Sequence, residues 1–399
     1  MTKKGAFAAV GLAAMLFAAG SLGPFTPPRQ AQAAKTPKAL AVMALDRLRD
    51  ARANADLTLL LEAEALLKRS LELDGSGNFE ANVGMASLSN ARHDFGGSVR
   101  WARFAIELNP YNASPYGLLG DALFELGHYG AAERAYQKMV DLRPDYASYV
   151  RASYAYQFRG DDRGALHAMK LALTSAGPIG ETPAWIRHQL GDIYFGRGEI
   201  GKAARQNRIG TKLAPDYVPP TVGLAEVAIA RGRLYKATAL VKNAAAELPA
   251  LEYLIKLGDL YRATGRPLLA AAQFEVVADH LATYRASGVL PDVDFILFYA
   301  DHSLRPRQAL KEGRFVYANR PTGAAADALG WILYRQGRPR IAWRYAKEAV
   351  ASPPVSGSFY FHASKIAEAV GRDALGKRYL RDAIERKQSL TIPELIAIF

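Results

Sequence analysis

Apolar and small residues recur along most of this chain at helical spacing, and glycine or proline closes each run. The stretch from Tyr111 to Tyr146 shows the pattern most plainly. Tyr116, Leu119, Gly120 and Leu123 fall on one face of a first predicted helix, and Gly127, His128 and Tyr129 make a turn. Ala132, Tyr136 and Met139 fall on one face of a second helix, which Pro144 closes. Gly120 and Ala132 stand where the two helices are expected to cross, because a close-packed interior leaves no room there for a larger side chain. One such hairpin cannot bury its own apolar faces, so it needs neighbours of the same kind.

The neighbours are present. Pro110 and Pro144 are 34 residues apart, as are Pro215 and Pro249. The same order of residues returns as Leu190, Gly191, Tyr194, Gly198, Ala203 and Pro215, then as Leu257, Gly258, Tyr261, Gly265, Ala270 and Phe274. A later copy reads Leu329, Gly330, Leu333, Gly337, Ala342 and Pro354. In period and residue order the chain resembles the tetratricopeptide repeat (TPR) family. The resemblance implies an all-α fold, a right-handed superhelical solenoid of antiparallel helix pairs whose concave face holds a peptide or protein segment. About ten hairpins fit between residues 34 and 388.

The first hairpin, Thr36 to Ala53 with Leu57 to Leu73, is atypical and suits a capping repeat, with Leu60, Ala63, Leu67 and Leu71 turned inward. The fourth ends in an extended loop from Thr174 to Thr182, and the seventh has a long second helix from Pro267 to Ala286. The eighth lacks the Leu-Gly pair, which leaves its register open. Residues 389–399 are too apolar to stand in water and are expected to dock as a carboxy-terminal capping segment, with a partner-binding helix as the alternative.

Residues 1–33 stand apart from the repeats. Lys3 and Lys4 precede an uncharged apolar run from Ala6 to Ala19, and Ala31-Gln32-Ala33 offers small residues to a signal peptidase. This reads as a secretory signal peptide cut before Ala34, with a retained amino-terminal anchor as the alternative. Either reading places the repeats outside the cytoplasm: in a periplasm, in the cell envelope or secreted. There is no cysteine, which excludes disulfides, thiolate metal sites and cysteine nucleophiles. The formal charge is +13, and basic residues cluster on second helices as Arg205, Arg208 and Lys212, as Arg340, Arg344 and Lys347, and as Lys377, Arg378, Arg381 and Lys387.

No HExxH motif, P-loop or GxSxG elbow occurs, and the histidines are scattered over different hairpins, in turns or on outer faces apart from His188. No cofactor or metal is expected, the Arg-Gly steps are too isolated to indicate nucleic acid, and the chain does not read as an enzyme. The Lys and Asn pair with which some TPR proteins clamp a terminal carboxylate is missing: Val83 with Ser87, Gly117 with Asp121, and Val150 with Tyr154 take those places.

The leading expectation is a non-catalytic protein- or peptide-binding scaffold of the cell envelope or secreted space. The alternatives are an adaptor for anionic envelope polymer or a membrane surface, and an accessory subunit of an envelope enzyme. The residue after each core glycine points about 100° away from it, which in the family's geometry is toward the groove. That column reads Asp121, Asp192, Glu226, Asp259 and Trp331, with Phe124, Phe195, Ile229, Arg262 and Tyr334 about one turn on. Tyr154, Trp185 and His188 complete the expected groove, an acidic row beside a mostly apolar one.

Overall fold

The structure is a computed structural model that describes residues 36–352 and 355–398. The expected signal peptide and its cleavage site, Pro354 and Phe399 lie outside the described residues. Helices pair in chain order. The first four pairs are α1 (Pro37–Asn54) with α2 (Leu59–Asp74), α3 (Phe79–Ala91) with α4 (Phe95–Leu108), α5 (Ser114–Glu125) with α6 (Tyr129–Leu142), and α7 (Tyr146–Phe158) with α8 (Asp162–Ser175). Next come α9 (Glu181–Gly196) with α10 (Ile200–Leu213), α11 (Pro219–Ala230) with α12 (Leu234–Glu247), and α13 (Leu251–Ala263) with α14 (Pro267–Ala286). The last pairs are α15 (Val293–Asp301) with α16 (Pro306–Asn319), α17 (Gly323–Arg335) with α18 (Pro339–Ala351), and α19 (Gly357–Ala369) with α20 (Asp373–Glu385); a short α21 (Ile392–Ile398) follows. The described residues contain no strand.

Local chemistry explains the element ends. Side chains of Thr36, Asn78, Asp94, Asp161, Thr322 and Ser356 accept from backbone N–H groups in the first turn of the helix that follows each. Between most paired helices a glycine takes the left-handed conformation, as Gly127 does at φ 80° and Gly198 at φ 74°, while Ala55 and His93 take it in the first two hairpins. The eighth hairpin has no glycine there either. Ser303 and Arg305 carry the positive φ instead, at 55° and 42°, and α15 is a short helix of 9 residues. This is the hairpin whose register the sequence left open.

Core glycines sit where helices cross. A Cβ on Gly120 would lie 2.4 Å from the Tyr136 ring, one on Gly258 the same distance from Phe274, and one on Gly191 2.5 Å from Asn207. Ala132, Ala203, Ala270 and Ala342 are buried beneath those crossings.

Two compact units share this architecture. The amino-terminal unit comprises described residues up to Ala152 and the segment Ala282–Leu290. In its first hairpin Leu60, Ala63 and Leu67 are fully buried. The returning segment docks on the turn after α3. Arg92 Nε donates to Ser287 O at 2.9 Å, Leu290 N donates to Arg92 O at 2.9 Å, and His93 Nδ1 lies 3.2 Å from Leu290 O. Arg92 also holds Glu64 at 2.8 Å, and this hydrogen bond draws the Glu64 carboxyl down to about 2. The carboxy-terminal unit comprises Ser153–Leu281 and the residues from Pro291 onward. In it α21 packs against α13. The tail thus contacts α13 as well as the last hairpin, where Ser389 meets Gly357.

Candidate functional site

First helices of successive hairpins are tied together by polar side chains along one face. In the amino-terminal unit Asn90 of α3 donates to Leu118 O of α5 at 3.2 Å. Asp121 of α5 is gripped by Arg151 of α7 through both oxygens, at 2.9 and 2.7 Å. Both partners are almost fully buried, so the ion pair is closed to solvent. Burial pushes the Asp121 carboxyl up, and the guanidinium opposes it. Phe124 is also buried, its ring edge-on to Tyr129 at 5.1 Å.

The carboxy-terminal unit has rungs of its own, with different chemistry. Tyr154 of α7 donates to Gln189 of α9 at 3.2 Å. Glu226 of α11 pairs with Lys256 of α13. Asp259 of α13 lies 3.5 Å from His302, which caps α15, and 3.3 Å from Arg262. Trp331 of α17 donates its indole N–H to Asp301 of α15 at 2.7 Å. Asp327 of α17 meets His362 of α19 at 2.9 Å. Apart from the two contacts of Asp259, the partners in these side-chain rungs are separated by 30 or 35 residues, about one repeat.

Burial dominates the electrostatics of this face. It raises the carboxyl of Asp259 to about 8 and that of Asp301 to about 6. It raises Asp192 to about 6 as well, with His188 opposing and Glu226 adding to the rise. His302, against the Phe274 ring at 3.9 Å, is driven down to about 3 by burial and by Arg262 and Arg335, so it is neutral. His362 goes the other way, to about 10, because Asp327 and Glu394 outweigh its burial.

The expected groove residues divide into two sets. Asp121, Phe124, Tyr154, Trp185, Asp259 and Trp331 are buried and mostly engaged by neighbouring helices. His188, Asp192, Phe195, Glu226, Arg262 and Tyr334 are partly exposed and remain within reach of an incoming group. His188 lies 3.5 Å from Asp192 and 2.9 Å from Asn207. Tyr334 stacks on Trp331 at 5.1 Å.

One histidine corrects the expectation of turns and outer faces: His362 is buried within α19, where it links consecutive first helices, whereas His302 lies in the turn after α15 with its side chain buried against Asp259. Lys256, Asp301 and Glu394 also belong to this face and were not singled out from sequence. Lys256 was findable as a cation 30 residues after an acid of the column. Glu394 carried no such signal.

No helix among the described residues is long and apolar enough to cross a membrane, and no group of three or more His, Asp or Glu side chains among them is placed to hold a metal ion.

A family model described as "tetratricopeptide repeat" matches residues 113–146, the hairpin of α5 and α6. That hairpin is a tetratricopeptide repeat, and the described residues have the fold of a TPR solenoid. The TPR architecture extends beyond that match. The Cut9–Hcn1 hetero-tetramer of the APC/C aligns at 14% identity over 90% of this chain and 70% of that one, with a TM-score of 0.52. The human IFIT1 dimer with m7Gppp-AAAA aligns at 17% identity over 79% of this chain and 72% of that one, with a TM-score of 0.51. At such identities the likeness concerns the fold. No curated protein matches this chain in sequence.

Proposed function

We propose that the protein is a non-catalytic scaffold that holds a protein or peptide segment along the first-helix face of its carboxy-terminal unit. The observation that carries this reading is the partly exposed set of groove residues on these first helices. Phe195, Arg262 and Tyr334 offer two aromatic rings and a cation, and Asp192 offers a carboxylate, on α9, α13 and α17. Aromatic anchors supply most of the affinity at such a surface, while charges set orientation and encounter rate. The secretory pattern of residues 1–33 supports an exported location, in the envelope or beyond it.

A photo-reactive phenylalanine analogue at Phe195 or Tyr334 is expected to capture a discrete partner in native extract, and the same analogue at exposed Arg340 is not. Capture from Arg340 alone would remove the groove reading. The cationic row on the second helices keeps the adaptor reading alive, because Arg205, Arg340, Lys347, Lys377 and Arg381 are all exposed. That reading requires binding to anionic vesicles or envelope polymer that weakens as salt rises. Absence of binding at low salt dismisses it.

A further inference from the structure

The tail is the chain's own occupant of the proposed groove. After α20 the chain makes a single 3-10 turn, Lys387–Ser389. Ser389 Oγ accepts from Gly357 N at 2.6 Å, and the Ser358 hydroxyl lies 3.0 Å from Ser389 O. Thr391 and Glu394 then form a reciprocal cap at the start of α21. Thr391 N donates to Glu394 Oε2 at 2.6 Å, and Glu394 N faces Thr391 Oγ1 at 3.4 Å. The same Glu394 oxygen accepts from Ser358 at 2.7 Å, and its other oxygen lies 3.1 Å from His362 Nε2. Glu394 is 2% exposed.

Three facts make this contact unlike a permanent part of the core. First, Leu390 and Ile392 are the tail's buried apolar side chains, while Ile396 is half exposed. Second, Glu394 brings a further carboxylate to a place that already holds Asp327 and Asp301, where His362 faces all three and Arg335 acts on Asp301. Third, His362 stays oriented without the tail, since Asp327 holds its Nδ1 and Trp331 stacks on its ring at 4.1 Å and 17°. Removing the tail leaves a fixed imidazole nitrogen and the Ser358 hydroxyl facing the groove.

We propose that His362 and Ser358 form a site that reads a side-chain carboxylate, that the tail fills it in the resting protein, and that a partner segment built like the tail exchanges with it. Such a segment has an apolar residue, then Ser or Thr, and Glu three positions on at the start of a helix. The proposal rests on the groove reading above and names the segment's chemistry. It also reverses the basic segment that an acidic row suggests, because at this end of the groove the tail's carboxylate meets the second ring nitrogen of His362.

The test uses a fluorescent peptide with the sequence of residues 388–399 and two full-length chains, the natural one and Glu394→Lys. The substitution puts an ammonium beside His362 and expels the tail. The Glu394→Lys chain is expected to bind the peptide at least about tenfold more tightly than the natural chain, the step expected for a charge-assisted hydrogen bond. A peptide with Gln in place of the Glu is expected to lose about tenfold on the same chain. Equal affinity of the two chains, or equal binding of the two peptides, overturns the proposal. Hydrogen exchange on the natural chain gives a second measure that needs no variant. Amides of residues 390–398 are expected to exchange faster than those of α19, and protection equal to α19 overturns the proposal. Capture at Phe195 or Tyr334 that persists despite these failures leaves the scaffold reading intact and removes only the exchangeable tail.

Discussion

The pair Asp121–Arg151 in the amino-terminal unit and the trio Asp327–His362–Glu394 in the carboxy-terminal unit are built on the same plan. Each starts from a buried acid on one first helix and reaches a cation on the next, 30 and 35 residues along. They differ in the cation. Arginine presents a fork that takes both oxygens of one carboxylate, and its Nη1 also donates to Ala147 O at 3.2 Å. Nothing is left over for an outside group. Histidine has one nitrogen on each side of its ring, so satisfying Asp327 leaves the opposite nitrogen facing outward. A column of repeats can thus be closed or open at each step according to which cation follows the acid.

The comparison breaks most visibly at the closed pair. Arg151→Ala leaves Asp121 buried and alone, and is expected to cost about 3–5 kcal/mol in urea unfolding, confined to the hairpins near α5 and α7. Asp121→Leu combined with Arg151→Met is expected to recover most of that loss, because a buried ion pair adds little over good apolar packing. A cost for the double variant as large as for Arg151→Ala would show the pair to be essential in itself.

The open trio is expected to yield less. His362→Ala should cost about 1–3 kcal/mol, since Asp327 and Glu394 can take up protons instead of remaining as buried charges. The contribution of His362 has a definite pH course. Its folded value, about 10, lies above the unfolded 6.5, so the stabilisation is complete below pH 6.5 and is lost as pH rises toward 10. A difference between the natural chain and His362→Ala that stays constant from pH 6 to pH 10 contradicts the charged imidazole.

Asp259 provides a smaller effect of the opposite kind, because it faces a neutral histidine. Its carboxyl ionises near 8 in the fold against 3.8 in the open chain, so the folded state holds the extra proton between those values. Stability is therefore expected to fall as pH rises from about 4 to about 8, and Asp259→Asn should flatten that slope when urea midpoints are compared at pH 5 and pH 8.5. An unchanged slope would mean that Arg262, rather than burial, governs this acid. Smallest of all, Lys377→Ala on the exposed face of α20 is expected to move stability by less than about 0.5 kcal/mol. A larger loss would make the outer face part of the structural framework.

Much of this architecture was legible in the sequence, for a physical reason. Gly120, Gly191 and Gly258 are dictated by helix crossings within one hairpin, and a crossing admits few residue types. The long α14 was readable from Pro267 to Ala286 for the same local reason. The rungs were half legible. The acids Asp121, Glu226 and Asp259 stood out as a column, but their partners are Arg, Lys and His in turn. No fixed residue marks the accepting position, so acids that are spent within the fold looked free from sequence. His302 was hidden further by its hairpin, which lacks both the Leu-Gly pair and the turn glycine. Glu394 was hidden because its partner lies on a first helix, and no repeat period connects the tail to it.

The docking of Ser287 and Leu290 on Arg92 and His93 has a bearing on time rather than on energy. Solenoid repeats make contacts close in sequence and fold as soon as each pair emerges, yet these hydrogen bonds span 195 and 197 residues. At synthesis rates of about 5–20 residues per second, the turn after α3 waits on the order of 10–40 seconds for its partner to be made. Through that interval Arg92 has only Glu64, and the second hairpin exists in a provisional form. Truncated chains ending before Ala282 are a stable stand-in for that nascent state, and their amino-terminal hairpins should exchange amide hydrogens faster than the same hairpins in the full chain.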